Sequence, residues 1–337
     1  MEKDIDTPEI LLLPPPAVSL TQRMPTIPQL AVALGGLALI FGLSYLPFVT
    51  QSAVKEAEHT VTPVPPEGEE TVNAGAFADT RISARAAYVW DVKNQKALYN
   101  KNAGTQLPLA SLTKLMTALV AYEHLPESAR IAITTQAVNE EGDSSLMPGE
   151  TFTLKKLADL TLMTSSNDGA SALAAAAGAA LTSAPDGTAS FIAAMNATAE
   201  QIGLSQSYFT NPTGLDVDGT HSGSYGSARD MAFLMEYLIL KHPDILAATK
   251  DAHRTIYDEE GAAFRTVNTN EITHDIPGLI GSKTGFTGLA GGNLVIAYDA
   301  GLNRPIIIAV LGSTRDGRFS DVTTLLHATA QVIATQP

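Results

Sequence analysis

The order of strand-like and helix-like segments constrains the fold of this chain most strongly. In the middle of the chain, apolar residues recur at helical spacing over 153–163, 170–181, 190–202 and 228–240. Segments with strand composition lie on either side of that middle, at 86–90, 97–99, 282–286, 293–298 and 305–311, and a last helix is predicted at 320–332. This order predicts an α+β fold, in which strands from both chain ends form an antiparallel sheet flanked by helices, with a helical insert between them.

The N-terminal segment has a different character. Between Arg23 and Lys55 there is no Asp, Glu, Lys, Arg or His, and 27–49 is largely apolar. Because the hydrocarbon core of a bilayer needs about 20 such residues, we predict a transmembrane helix at 27–49, preceded by a cytoplasmic tail at 1–26. A cleaved signal peptide is the alternative, and it is disfavoured because no small-x-small site follows the apolar segment closely.

The next segment, 50–79, is acidic and rich in proline. It is too poor in apolar residues to form a core, so we interpret it as a disordered stalk. Ordered patterning begins after it, and 80–337 is predicted to be one globular domain.

The composition excludes several classes of function. The formal net charge is −14 and no basic run occurs, which argues against a nucleic-acid-binding surface. The chain has no cysteine, so disulfides, thiolate catalysis and cysteine metal sites are excluded. The histidines include no His-x-x-x-His pair, so a zinc peptidase lacks its ligand set. We therefore expect neither a metal nor another cofactor.

The first candidate for chemistry is Ser111-Leu112-Thr113-Lys114, at the start of a helix predicted after Pro108. Ser111 and Lys114 are three residues apart and therefore project from the same helix face. A serine hydroxyl needs an adjacent base to act as a nucleophile, and a lysine is such a base only if its pKa is lowered toward neutrality. An isolated pair is also consistent with a solvated helix face. The apolar face of the helix consists of Leu112, Leu115, Met116 and Leu119.

The second candidate motif, Ser165-Ser166-Asn167, lies between two predicted helices. The Ser165 hydroxyl can relay a proton between Lys114 and a leaving group, and the Asn167 amide can hold Lys114 or a substrate amide. For an isolated instance, the alternative is an ordinary turn and helix cap.

The third motif, Lys283-Thr284-Gly285, lies on a predicted strand. Lys283 can orient a substrate carboxylate and help to lower the pKa of Lys114, and Gly285 lets a ligand approach the backbone. Each motif alone is weak, but the three in this order are a strong joint signal for serine acyl transfer.

With these motifs, the chain over 86–325 resembles the low-molecular-mass penicillin-binding proteins, the serine D-Ala-D-Ala carboxypeptidases of the peptidase S11 type. Residues 109–117 are similar to the nucleophile box of that family, and 165–168 to its Ser-Gly-Asn-Asp box, with Ser166 in place of glycine. Further similar segments are 211–215, 228–231, 268–270, 283–287 and 290–295. The resemblance implies the penicillin-binding-protein/β-lactamase-like fold.

The resemblance also implies a role for each site residue. Ser111 would be the acylated nucleophile and Lys114 its base, and Ser165 and Asn167 would form the proton-relay and positioning pair. The backbone N–H groups of Ser111 and Phe286 would form the oxyanion hole. The substrate-binding residues would be Lys283, Thr284, Gly285, Phe286 and Arg318, with Arg315 competing with Arg318 as the second carboxylate ligand.

The implied activity is removal of the terminal D-Ala from peptidoglycan stem pentapeptides through an acyl-enzyme on Ser111, in cell-wall biogenesis and the control of cell shape. β-Lactams would be inhibitors, and the membrane helix would place the serine DD-peptidase domain in the periplasm or facing the wall. Three alternatives stay open: a DD-endopeptidase on crosslinked peptidoglycan, a β-lactamase and an inactive wall-binding scaffold. A class A β-lactamase is disfavoured because no Glu-x-x-Leu-Asn occurs between Asn167 and Lys283.

Overall fold

The computed structural model describes residues 74–142, 145–182 and 187–335. Its α-helices are α1 (Ala74–Phe77), α2 (Thr113–His124), α3 (Leu154–Thr164), α4 (Asn167–Leu181), α5 (Thr188–Gln201), α6 (Ala228–Lys241), α7 (Pro243–Leu246) and α8 (Gly317–Thr335). Its strands are β1 (Ala86–Asp91), β2 (Lys96–Lys101), β3 (Leu107–Pro108), β4 (Arg130–Ala132), β5 (Thr151–Thr153), β6 (Tyr208–Phe209), β7 (Ser224–Gly226), β8 (His253–Tyr257), β9 (Ala263–Val267), β10 (Leu279–Thr287), β11 (Gly291–Asp299) and β12 (Pro305–Ser313). Short 3-10 helices occupy Ala110–Leu112, Ala137–Asn139 and Thr273–Asp275.

The main sheet joins the two ends of the described chain. Its five strands are antiparallel, in the order β10-β11-β12-β1-β2. Strand β1 pairs with β12, and Ala86 lies opposite Leu311. The prediction of one antiparallel sheet built from early and late strands is therefore confirmed, as is the hairpin of β1 and β2.

Helices cover both faces of this sheet, which explains why its central strands are almost continuously apolar. On one face Trp90 and Ile307 belong to the larger core, against which α2 and α6 pack. On the other face Val89 and Ile308 pack in a second core beneath α8. Because neighbouring residues of a strand point to opposite faces, each central strand contributes to both cores.

Helix α2 lies at the centre of the helical part of the fold, packed against α3, α4, α5 and α6. The apolar residues predicted to form its buried face are all fully buried: Leu112, Leu115, Met116 and Leu119. Burial of this helix fixes the 3-10 helix Ala110–Leu112, which contains Ser111, because it leads directly into α2.

The folded domain begins before residue 80. Helix α1 lies inside the range 50–79 that the sequence predicts as a stalk, and Phe77 is buried with its ring 5.0 Å from that of Tyr99. The predicted boundary is wrong for these last residues, because a single aromatic in a polar segment gives no periodic signal. The rest of the predicted stalk, the tail at 1–26 and the helix at 27–49 lie outside the described residues.

Three small sheets of the described residues were not predicted, namely β3-β7-β6, β4–β5 and β8–β9. In the β8–β9 pair, β8 buries only Ile256 and β9 buries only Thr266. One buried residue per strand leaves too little alternation to identify a strand from sequence. In the part of the chain that the structure covers, no helix is long and apolar enough to cross a membrane.

Candidate active site

Ser111 lies where the chain turns from β3 into α2. It is the middle residue of the 3-10 helix Ala110–Leu112, and it is half-buried. Ala110 has a φ of +48°, in the left-handed region, and the Thr113 hydroxyl donates to the Ala110 carbonyl at 2.6 Å. The residue before the candidate nucleophile therefore adopts a backbone conformation that L-residues other than glycine rarely take.

Lys114 lies beneath Ser111 and is fully buried. Its Nζ is 3.0 Å from the Ser111 hydroxyl oxygen, and it donates at 2.7 Å to Asn167 Oδ1 and at 2.7 Å to the Thr213 carbonyl. These three oxygen atoms fix the position of the amine. The bonds to Asn167 and Thr213 hold it in place, so the contact with Ser111 is available for proton transfer.

Burial lowers the pKa of Lys114 to about 7, and the carboxylate of Glu140 opposes that shift. The cause is the loss of hydration of the ammonium form, since the contacts of Nζ are with neutral oxygen atoms. At neutral pH a large fraction of this amine is therefore unprotonated and can accept a proton from a hydroxyl.

Asn167 is the first residue of α4 and is held at both ends of its amide. Its Oδ1 accepts from Lys114, and its Nδ2 donates to the Glu141 carbonyl at 2.5 Å. Ser166 caps the helix by accepting from the Gly169 N–H at 2.8 Å. The helix cap that the sequence offers as an alternative reading is thus real at Ser166, and it places the neighbouring Asn167 in the site.

Ser165 follows α3 with a φ of +62°, and its hydroxyl accepts from Lys283 Nζ at 2.9 Å. Lys283 is 1% exposed, and its Nζ also donates to the Thr284 carbonyl at 2.9 Å. The sequence predicts Lys114 as the neighbour of Ser165, whereas the structure gives it Lys283. The two pairs are nevertheless close enough for the charge of Lys114 to act on the pKa of Lys283.

The pKa of Lys283 lies well below its usual range because of burial first, and then because of the positive charges of Lys114 and Arg318. The sequence analysis expects Lys283 to lower the pKa of Lys114. Burial is the largest cause of the lowered pKa at both lysines, and the repulsion between their charges is mutual, so it disfavours protonation of both at once.

Strand β10 runs directly along the nucleophile segment. A Cβ on Gly285 would lie 2.8 Å from the Leu109 carbonyl oxygen and 3.2 Å from the Ser111 nitrogen. The sequence predicts that this glycine admits a ligand, but the structure shows that it admits the backbone before Ser111. Phe286, the next residue, is 44% exposed.

Of the two candidate arginines, Arg318 is the one bonded to β10. It is 7% exposed, its Nη1 donates to the Gly285 carbonyl at 2.9 Å, and its Nε has no hydrogen-bond partner among the described residues. Arg315 instead lies over the ring of Phe286, with Cζ 5.1 Å from the ring centroid.

Several groups at the site were not assigned roles from sequence. The Thr213 carbonyl holds Lys114, and the Thr269 hydroxyl lies 2.6 Å from that of Thr284. Their segments, 211–215 and 268–270, were noted only as points of resemblance. A residue that acts through its backbone carbonyl, as Thr213 does, leaves no side-chain signal in a single sequence.

Both the sequence and the fold resemble known proteins. Residues 72–315 match the model of the peptidase S11 family, described as D-alanyl-D-alanine carboxypeptidase. The chain is 32% identical to D-alanyl-D-alanine carboxypeptidase DacF of Bacillus subtilis over 260 residues, which are 75% of this chain and 64% of DacF. It is 29% identical to a D-alanyl-D-alanine endopeptidase of Escherichia coli over 294 residues, which are 85% of this chain and 83% of that protein.

Among solved structures, penicillin-binding protein D2 of Listeria monocytogenes in its ampicillin-bound form is 30% identical, with a TM-score of 0.60. The match covers 73% of this chain and 97% of that one. The predicted penicillin-binding-protein-like fold is thereby confirmed for the matched domain.

Proposed function

The chain belongs to the peptidase S11 family of D-alanyl-D-alanine carboxypeptidases, and we propose that it removes the terminal D-Ala from peptidoglycan stem pentapeptides through an acyl-enzyme on Ser111. The observation that carries this proposal is the 3.0 Å contact between the Ser111 hydroxyl and Nζ of the fully buried Lys114. With the pKa of Lys114 lowered to about 7, the nucleophile has an adjacent base near neutral pH.

In the acylation step, Ser111 Oγ attacks the carbonyl carbon of the penultimate D-Ala while its proton passes to Nζ of Lys114. Asn167 and the Thr213 carbonyl hold that amine in line with the hydroxyl. The substrate carbonyl oxygen then gains negative charge, which the backbone N–H groups of Ser111 and Phe286 stabilise as an oxyanion hole.

Collapse of the tetrahedral intermediate breaks the peptide C–N bond and leaves an ester on Ser111. The departing amine of D-Ala takes the proton that Lys114 received, with the Ser165 hydroxyl as the proposed relay. Water then attacks the ester carbon and gives a proton to Lys114, the bond from that carbon to Ser111 Oγ breaks, Oγ takes the proton back from Lys114, and the shortened stem peptide leaves with a free carboxylate.

Recognition of the free carboxylate restricts the enzyme to the chain end of the peptide. Lys283, the Thr284 hydroxyl and Arg318 are assigned to this carboxylate, and the unpartnered Nε of the buried Arg318 supports its share. Because the pKa of Lys283 is strongly lowered by burial, a bound carboxylate would raise it again. Substrate binding and protonation of Lys283 are therefore coupled.

β-Lactams are proposed to acylate the same serine. The ampicillin-bound relative of 30% identity supports this assignment. Release of the penicilloyl group is expected to be slow, because the sequence lacks the Glu-x-x-Leu-Asn motif that serves deacylation in class A β-lactamases. Rapid catalytic turnover of penicillin would contradict this part of the proposal.

The proposed location is the cell membrane, with a single-pass helix at 27–49 and the peptidase domain outside the cytoplasm. The run without charged residues between Arg23 and Lys55 supports the anchor, and the extracytoplasmic position of peptidoglycan supports the orientation. Cell fractionation tests the anchor. Detergent should be needed to release the chain from membranes, and release by alkaline carbonate alone would count against it.

The activity is tested with the purified 337-residue chain and a stem pentapeptide ending in D-Ala-D-Ala. Mass spectrometry of the products should show the tetrapeptide and free D-Ala, and S111A should produce neither. Product formation by S111A at the rate of the unsubstituted chain, or none by the unsubstituted chain, would overturn the assignment.

An endopeptidase is the second candidate, favoured by the match to a relative of that name over 85% of this chain. A crosslinked muropeptide dimer offered beside the free pentapeptide separates the two activities. The carboxypeptidase assignment predicts faster release of D-Ala from the pentapeptide than cleavage of the dimer. An inactive scaffold would cleave neither substrate.

A further inference from the structure

Asn293 on β11 is a fully buried amide whose hydrogen-bonding groups are all occupied. Its Nδ2 donates to the Pro108 carbonyl at 3.0 Å and to the Leu109 carbonyl at 3.0 Å. Its Oδ1 accepts from the Gly312 N–H at 2.8 Å. One side chain thus joins β11, β12 and the segment that leads to Ser111.

Asn293 lies where the pairing of β11 with β12 departs from a regular antiparallel ladder. The register of β11 against β12 shifts between Gly292 and Leu294, so Asn293 lies at an irregularity of the sheet. Such irregularities redirect side chains, and here the amide oxygen of Asn293 accepts a hydrogen bond from the Gly312 N–H.

Asn293 and Gly285 act on the same carbonyl. The two residues are directly opposite each other in the β10–β11 pair, so they face the same side of the sheet. Gly285 leaves room for the Leu109 carbonyl oxygen, which would lie 2.8 Å from any Cβ at that position. Asn293 supplies the donor that this carbonyl needs. The sheet therefore provides both the space and the hydrogen bond that seat the residues before the nucleophile.

The seated residues lead directly to the reacting group. Leu109 is followed by Ala110, whose φ is +48°, and then by Ser111. A segment that contains a left-handed alanine has few alternative paths, so a shift of the Leu109 carbonyl moves Ser111 with it.

We propose that Asn293 is a positioning residue for acylation, which sets Ser111 and its backbone N–H against β10 by holding the carbonyls of Pro108 and Leu109. This inference rests on the proposed function, because its effect is expressed in the rate at which Ser111 is acylated. Among the described residues, the Asn293 side chain forms no hydrogen bond with the proposed substrate-binding side chains or with Lys114.

The test compares acylation of the purified full chain and its N293A variant by a fluorescent penicillin. Single-turnover traces at several penicillin concentrations separate the acylation rate constant from the preceding binding constant. Misplacement of a nucleophile by about 1 Å costs on the order of 100-fold in rate, so N293A should acylate about 10- to 100-fold more slowly. Its binding constant for penicillin should change by less than about threefold, because the groups assigned to the carboxylate are untouched.

Asn196 on α5 offers a matched control. Its Nδ2 donates to the Ile192 and Phe209 carbonyls at 3.0 Å and 2.8 Å, and its Oδ1 accepts from the Phe209 N–H at 2.8 Å. N196A removes the same pattern of three hydrogen bonds away from the nucleophile segment. It should lower the melting temperature by a few degrees, less than N293A because Asn196 is only half-buried, and acylate within about twofold of the unsubstituted chain.

The outcomes separate the possible failures. If N293A does not fold, N293S decides, because its hydroxyl keeps one donor on a shorter side chain, and it should also acylate at least about fivefold more slowly. Folded N293A, or N293S in its place, with the unsubstituted rate overturns the inference and leaves the proposed function intact. An equal loss in N196A overturns it as well, because the effect would then follow from lost stability. Absence of acylation in the unsubstituted chain overturns the proposed function and this inference together.

Discussion

Lys114, the proposed base, is buried with no counter-ion within the described ranges, and this burial is what lowers its pKa. Lys114 is fully buried, and in the part of the chain that the structure describes, no salt bridge joins it or Lys283 to a carboxylate. Its neighbours are hydroxyl, amide and carbonyl oxygen atoms, which accept hydrogen bonds but carry no full charge. The neutral amine is therefore favoured, and a serine gains a base without histidine.

The pH dependence of acylation tests this use of burial. Only unprotonated Lys114 accepts the Ser111 proton, so the acid limb of kcat/KM should rise with pH through about 7. The Glu140 carboxylate raises the pKa of Lys114, and it is placed by a hydrogen bond from the Ser171 hydroxyl at 2.8 Å. E140Q should therefore move the midpoint of the acid limb to lower pH.

The control for E140Q is E200Q, which removes an exposed carboxylate from α5. Its pH profile should superpose on that of the unsubstituted chain. A shift of the E140Q midpoint to higher pH, or an equal shift in both variants, would refute the role of Glu140.

At the scale of elements, the site depends on how closely β10 approaches the start of α2. The strand lies against the 3-10 helix Ala110–Leu112 so tightly that residue 285 has no room for a side chain. Strand β10 also carries Lys283 and Thr284, so the same approach brings the groups proposed to bind the carboxylate close to Ser111, the proposed nucleophile. Backbone packing between two elements thus determines the distance across the cleft.

A single methyl group tests this packing. G285A places a Cβ 2.8 Å from the Leu109 carbonyl oxygen, and the nucleophile segment must move to accept it. We expect acylation by penicillin to fall by about 100-fold, since misplacement by about 1 Å has that cost. G288A is the control, because a Cβ there meets nothing within 4 Å, and it should acylate at the unsubstituted rate. Unchanged acylation in G285A would show that the strand does not position Ser111.

At the scale of the whole molecule, the fold brings together residues far apart in sequence by closing the chain ends into one sheet. Asp91 at the end of β1 is fully buried and accepts from Arg304, which precedes β12, at 2.7 Å from Nη2 and 2.8 Å from Nε. This ion pair joins β1 and β12, the neighbouring strands that come first and last in the chain. The Asp91 carboxylate also accepts two hydrogen bonds from Asn94.

Loss of this pair should destabilise the domain as a whole. R304A leaves the Asp91 carboxylate buried without its guanidinium, so the free energy of unfolding should fall by about 3 kcal/mol in urea titrations. R130A is the control, because the Arg130 side chain is 60% exposed in its pair with Glu259, and a surface pair contributes less than about 1 kcal/mol. Equal losses in the two variants would contradict the structural role of the buried pair.

The sequence predicts the fold well where periodicity is strong, and the site where chemistry requires a residue type. The main-sheet strands and the long helices follow from alternation and helical spacing, and Ser111, Lys114, Asn167 and Lys283 follow from their motifs. The pairing of Ser165 with Lys283 and the role of Thr213 depend on distances between remote segments. A single sequence contains no such distances, because weak contacts throughout the fold set them together.

Acylation of Ser111 is tested most directly by locating the acyl group on the protein. The purified chain is treated with benzylpenicillin, quenched in acid, digested and mapped by mass spectrometry. We predict one penicilloyl adduct, on the Ser111 hydroxyl, which disappears in S111A. An adduct on a different residue, an adduct that persists in S111A, or no adduct at all would contradict it.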